Sequence, residues 1–208
     1  MLEATNIELI YSTPSMYIDA LASHNIEWPT KYDDMFPYAD NDASYWTGYF
    51  SSRPNDKKYM RDASHTLHSS NKLFALASID QQTTDTEIDQ MLEAKAAMMD
   101  VVGVVQHHDG ITGTGKQHTA DDYVHRIFKG IEATNPVYSD VIDKIAKSAG
   151  IEAENWSWCQ RQNGTWEDCP IAEYALSQDV TMVVSVHNPA NLAMKTVEIK
   201  VPHKDFVA

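Results

Sequence analysis

A multi-domain chain of α/β + α + β type is predicted, and three observations predict it. Near the start, Ile7-Glu8-Leu9-Ile10-Tyr11 alternates like a strand and runs into a capped helix, the unit of an α/β layer. Apolar residues at helical spacing then dominate residues 51–150. From Gln178 onward the pattern changes to β-branched residues. The domains expected from this are the tail of an α/β domain (residues 1–50), a helical bundle (51–150), a linker (151–177) and the opening of a C-terminal β-domain (178–208).

Each element has its own signal. Ser12-Thr13-Pro14-Ser15 supplies an N-cap and an early proline for a helix through Tyr17, Ile18 and Leu21. Prolines and aromatics between Trp28 and Tyr38 indicate an ordered loop rather than a flexible linker. Residues 54 to about 79 predict a helix, with Pro54 in its first turn and Met60, Ala63, Leu67 and Phe74 on one side. A second helix is expected over 86–106, with Thr86 and Asp89 in a capping-box arrangement. A third covers 118–132. Asn135-Pro136 is expected to break it, and a fourth continues through Val141, Ile142 and Ile145 to a stop at Gly150. Val180 to His187 and Thr196 to Val201, joined by the Asn188-Pro189-Ala190-Asn191 turn, predict a hairpin. Two strands alone are marginal in water, so the chain is expected to be cut from something longer at this end.

Composition narrows the function. The net charge of −14 repels phosphate backbones and argues against nucleic acid as a partner. No apolar run reaches 18 residues, so no membrane span is expected. The first residues lack the basic and apolar regions of a signal peptide. Cys159 and Cys169 bracket a short loop containing the sequon Asn163-Gly164-Thr165, and a second sequon, Asn155-Trp156-Ser157, precedes it. A disulfide between the cysteines, with glycans on Asn155 and Asn163, fits the secretory pathway, a lysosome or the extracellular space. Two free thiols and chance sequons are the competing reading. The secretory reading, without a leader, carries the expectation that Met1 is not the true start.

Two segments carry chemistry. In residues 106–118, QHHDGITGTGKQH, a helix ends in two imidazoles and a carboxylate before a glycine-rich turn. These are the usual zinc donors, and a helix end presents them on one rigid edge. Adjacent residues point apart, so at most one of His107 and His108 is expected to be a ligand, with the other packing or orienting its neighbour. A plain helix C-terminus, whose dipole favours imidazolium, explains the pattern equally well. In residues 36–50, Trp and Tyr offer faces for the apolar side of a sugar, and Asp40 and Asp42 offer acceptors for its hydroxyls. An aromatic corner packed on the bundle is the alternative.

Both strings resemble a known family. FPYADNDASYWTGYFSSRP is similar to the FPYAD…YWTGY-TSRP motif of glycoside hydrolase family 38, the class II α-mannosidases. QHHDGITGTGKQHTADDY is similar to that family's QHHDA-SGT-QHV-DY motif, and the lysosomal branch also shares the close-set cysteine pair. The resemblance covers nearly the whole chain. It implies the tail of an α/β catalytic, barrel-like domain, a central three-helix-type bundle and the first strands of a β-sandwich. It implies a zinc-dependent retaining hydrolysis of terminal α-mannose from glycoprotein oligosaccharides. Residue by residue, it makes His108 a zinc ligand, Asp109 a sugar contact and Trp46 the ring that stacks on mannose.

The departures matter as much. The family's H-x-D ligand motif and its nucleophilic Asp have no counterpart here. The resemblance therefore implies no catalytic residue in this chain, further ligands from the rest of a parent chain, and an inactive fragment. His203-Lys204-Asp205 lies at the wrong end and is read as chance. Gly110 stands where the family has a small Ala. The competing readings are a non-catalytic mannose-binding module and a helical structural domain.

Overall fold

The structure is a computed structural model. It describes residues 8–153, 156–158, 161–163, 166–167, 174, 182–193 and 196. It divides into two compact units, Met1–Thr47 and Gly48–Ala208.

In the first unit, α1 spans Pro14–Ser23. The Thr13 hydroxyl caps it by accepting from the Met16 N–H at 3.3 Å, and Pro14 occupies the first turn, where a missing N–H costs nothing. A small antiparallel hairpin follows, β1 (Ala39–Asn41) with β2 (Ser44–Tyr45), with Ala39 opposite Tyr45 and Asn41 opposite Ser44. Ala43 turns the chain at φ 62. No described residue of this unit is buried. The strand expected over residues 7–11 is not formed at Glu8–Tyr11, where the chain has no regular structure. Alternation alone does not make a strand, because its N–H and C=O groups need a ladder partner.

The second unit is built on three long helices, α2 (Pro54–Ser78), α3 (Asp85–Val105) and α4 (Gln117–Ser148). The capping box at the start of α3 is formed by Thr84 and Glu87, two residues earlier than expected. The Glu87 N–H donates to the Thr84 hydroxyl at 3.3 Å, and the Thr84 N–H donates to the Glu87 carboxylate at 2.8 Å. The expected break at Asn135-Pro136 does not occur, and α4 runs unbroken through Pro136 for 32 residues. Proline in a helix interior costs about 3 kcal/mol. Here buried residues on both sides, Ile127, Ile131 and Thr134 before it and Val141, Ile142 and Ala146 after it, hold the two halves to the same neighbours.

The three helices meet in two apolar clusters. One joins Met60 and Ala63 of α2, Met98, Val101 and Val105 of α3, and Tyr123, Ile127 and Ile131 of α4. The other joins Leu73 and Phe74, Met91 and Ala94, and Val141 and Ile142. The first cluster lies at the end where α2 and α4 begin and α3 stops. It therefore anchors the turn between α3 and α4, which carries the imidazoles.

After α4, a short hairpin pairs β3 (Arg161–Asn163) with β4 (Trp166–Glu167). Residues 182–193 form no strand, although Met182–His187 lies in the expected first strand of the β-domain. Positions 197–201 of the second strand lie outside the described residues, as do Cys159, Cys169 and Asn155. Asn163 closes β3.

A candidate metal and sugar site at the end of α3

The turn begins where α3 runs out of apolar residues. The Gln106 N–H donates to Gly103 O at 3.2 Å and the His107 N–H to Val104 O at 3.1 Å, so the last turn tightens before the chain leaves the helix. The Gly110 N–H returns to His107 O at 2.8 Å, and the Ile111 N–H to Val105 O at 2.9 Å. This folds His107, His108 and Asp109 onto a single edge above the first apolar cluster.

The two imidazoles do not point apart. Their centroids are 4.3 Å from one another. His107 Nε2 lies 3.5 Å and His108 Nε2 3.7 Å from the same Asp109 oxygen, Oδ2. The rule that adjacent side chains diverge fails because these residues sit in a turn rather than in a regular helix or strand. The other Asp109 oxygen, Oδ1, accepts from the Thr114 hydroxyl at 2.6 Å. That hydrogen bond, followed by the nearby His108 and His107 rings, holds the Asp109 carboxyl below the ordinary carboxylate range. The Thr112 hydroxyl donates to His108 O and lies 3.0 Å from the Thr114 hydroxyl.

This donor set suits a borderline cation. One ligand atom from each of His107, His108 and Asp109 falls within 4.8 Å of the others. Ligands about 2.0–2.2 Å from one zinc ion stand roughly 3–4 Å apart, which the 3.5 and 3.7 Å separations match. The His108 side chain is 86% exposed, so a metal held on its imidazole would be open to further ligands from solvent or from another segment.

The turn is also gripped from the start of α2. Arg53 Nη1 donates to Gly113 O at 2.6 Å and to Gly115 O at 2.9 Å, and Nη2 reaches Gln117 Oε1 at 3.4 Å. The Ser52 hydroxyl donates to Gly113 O at 2.9 Å, and Lys57 Nζ to Ile111 O at 2.7 Å. Burial pushes the Lys57 ammonium below its ordinary value, and the neighbouring Arg61 charge adds to this. None of these residues was singled out by the chemistry of the sequence. The signal was the SSRP string that ends the first motif, 60 residues before the turn that it holds.

Trp46 belongs to the first unit. Its N–H donates to Tyr38 O at 2.8 Å, and its ring meets Tyr38 edge-on at 5.6 Å. Hydrogen bonds from Ser44 and then Trp46 hold the Asp40 carboxyl below its ordinary range. Trp46 is 55% exposed.

A family model described as the α-mannosidase middle domain matches residues 44–145. The chain is similar to the lysosomal α-mannosidase of Dictyostelium discoideum, 37% identical over 187 residues, which is 88% of this chain and 18% of that protein. It is similar to the lysosomal α-mannosidase of Felis catus, 34% identical over 185 residues, 89% of this chain and 17% of that protein. Against the lysosomal α-mannosidase of Homo sapiens the identity is 32% over 187 residues, 90% of this chain and 17% of that protein. The chain thus spans less than a fifth of the length of these relatives.

Proposed function

We propose, from the match of residues 44–145 to the α-mannosidase middle-domain family model, that this chain supplies part of the metal and sugar site of a zinc-dependent retaining α-mannosidase. The observation that carries the reading is the trio His107, His108 and Asp109, brought to one rigid helix end with their donor atoms within 4.8 Å. His108 is the zinc ligand. Asp109, kept ionised by Thr114, accepts a hydrogen bond from a sugar hydroxyl. Trp46 offers its exposed face to the apolar side of the mannose ring. When bound, zinc supplies Lewis-acid chemistry at the sugar hydroxyls. The remaining ligands and the nucleophile come from the rest of the parent protein, so the chain alone is inactive. The substrate in this reading is terminal α-mannose on glycoprotein oligosaccharides, and the α-mannosidase names of the relatives support the sugar. The place of action is the secretory pathway, the lysosome or the extracellular space. A disulfide between Cys159 and Cys169, and glycans on Asn155 and Asn163, belong to the same reading.

The test is His108→Ala in the parent protein, with zinc content measured by elemental analysis and hydrolysis by release of mannose. Loss of bound zinc together with loss of activity is expected. A zinc-replete, active variant sinks the assignment. Sugar binding that survives without zinc shifts the function to a non-catalytic mannose-binding module.

A further inference from the structure

We propose that Arg53 is the positioning residue of the His108–Asp109 turn, with Ser52 and Lys57 assisting it. The inference rests on the metal and sugar reading of that turn. Arg53 touches neither imidazole nor carboxylate, and acts through the backbone that carries them.

The geometry is specific. Two carbonyls of the glycine-rich segment, Gly113 O and Gly115 O, converge on one guanidinium nitrogen at 2.6 and 2.9 Å. A guanidinium presents its donors in a rigid planar fork, so both carbonyls are fixed relative to each other. Gly115 is in turn tied to the site, because its N–H donates to Asp109 O at 3.3 Å. Thr114, between the two clamped glycines, holds Asp109 Oδ1 at 2.6 Å. The path from Arg53 to the Asp109 carboxylate is thus two hydrogen bonds joined by one step of backbone, from Gly113 to Thr114.

Two backbone features show that the contact shapes the chain. Arg53 adopts φ 49, in the left-handed region that disfavours side chains with a Cβ. A glycine would sit there without strain, so an arginine in that place is held by what its side chain binds. Gly113 faces it at φ 72, and a Cβ on Gly113 would lie 2.6 Å from Ser52 O and 3.3 Å from the Arg53 Cβ. Only glycine allows the two segments to come this close.

Arg53→Gly separates positioning from folding. It removes the fork but relieves the left-handed backbone, so the urea midpoint of the chain should be unchanged or slightly higher. Amide exchange at Gly113 and Gly115 should rise about tenfold, while exchange at Met98 and Ile127 in the core stays as it was. In the parent protein, which supplies the remaining ligands, Zn²⁺ should bind about tenfold more weakly, the lower end of what loss of an orienting partner costs a metal site. Arg53→Lys, which keeps the charge but can hold only one carbonyl well, should fall between. Unchanged exchange at the two glycines overturns the proposal, and so does faster exchange with unchanged Zn²⁺ affinity. Should the unaltered parent protein bind no Zn²⁺, the metal reading of His108 fails, and the exchange rates alone decide whether Arg53 holds the turn.

Discussion

Gly110 shows how tightly individual residues define the turn. A Cβ added there would lie 2.6 Å from Val105 O, 3.1 Å from Val105 C and 3.2 Å from His107 O. All three are backbone atoms, so the end of α3 would have to move to admit a methyl group. The related motif carries Ala at this position, which makes Gly110→Ala an informative change. Overpacking of this kind costs about 1–3 kcal/mol, and a lowered urea midpoint is the expected result. An unchanged midpoint would mean that the helix end yields freely. His108 and Asp109 were legible as candidates from their chemistry. That His107 shares their edge was not, because side-chain direction in a turn depends on backbone hydrogen bonds such as Gly110 N–H to His107 O. The role of Arg53 was hidden for another reason. Its partner Gly113 is 60 positions away, and no local pattern encodes that approach.

At the scale of elements, the helices were legible wherever apolar spacing and a breaker agreed. Pro54 and the stripe through Met60, Ala63 and Phe74 placed α2. Pro136 misled, because local propensity argued for a break while packing on both sides of it favoured continuation. The start of α3 is fastened by more than its capping box. Lys144 Nζ of α4 pairs with Glu87 Oε1 at 2.5 Å. That ion pair, followed by the hydrogen bonds from Thr84, lowers the Glu87 carboxyl to about 2 from its ordinary 4.5. A depressed carboxylate contributes stability that is complete above the unfolded value and is lost as pH falls through the folded one. The contribution of Glu87 is therefore full above about pH 4.5 and fades toward about pH 2. Thermal melts of the chain and of Glu87→Gln should differ most above pH 4.5 and converge as the pH approaches 2. A gap that stays constant over that interval would show that Glu87 contributes nothing through its charge. Other carboxyls lowered in the same way, Asp109 and Asp143 among them, titrate in both proteins, so the difference between the two isolates Glu87.

For the whole molecule, the helices closed their core locally while the expected strands did not form where they are described. Each apolar cluster of the bundle draws on α2, α3 and α4, so residues 54–148 bury their stripes against one another. Helical periodicity in that stretch was sufficient to read the architecture, because the partners lie next in sequence. Strand-like alternation at Glu8–Tyr11 and Met182–His187 was not, because a strand is completed by a neighbour that the alternation does not name. The same contrast predicts how the chain meets a protease. Leu9, Tyr11 and Tyr32 are more than 90% exposed, and no described residue from Glu8 to Thr47 is buried. Opening free energies are lowest where few side chains are buried. Chymotrypsin should therefore cut first at aromatic residues before Gly48, such as Tyr11 and Tyr32. A fragment containing residues 54–148 should persist, with Tyr123 and Phe74 protected by burial. Early cleavage at Phe74 or Tyr123, at a rate matching Tyr32, would mean that the two clusters do not hold the bundle closed. Survival of the 54–148 fragment would show instead that the helices carry the folding free energy, and that the turn bearing His108 stands on the most stable part of the chain.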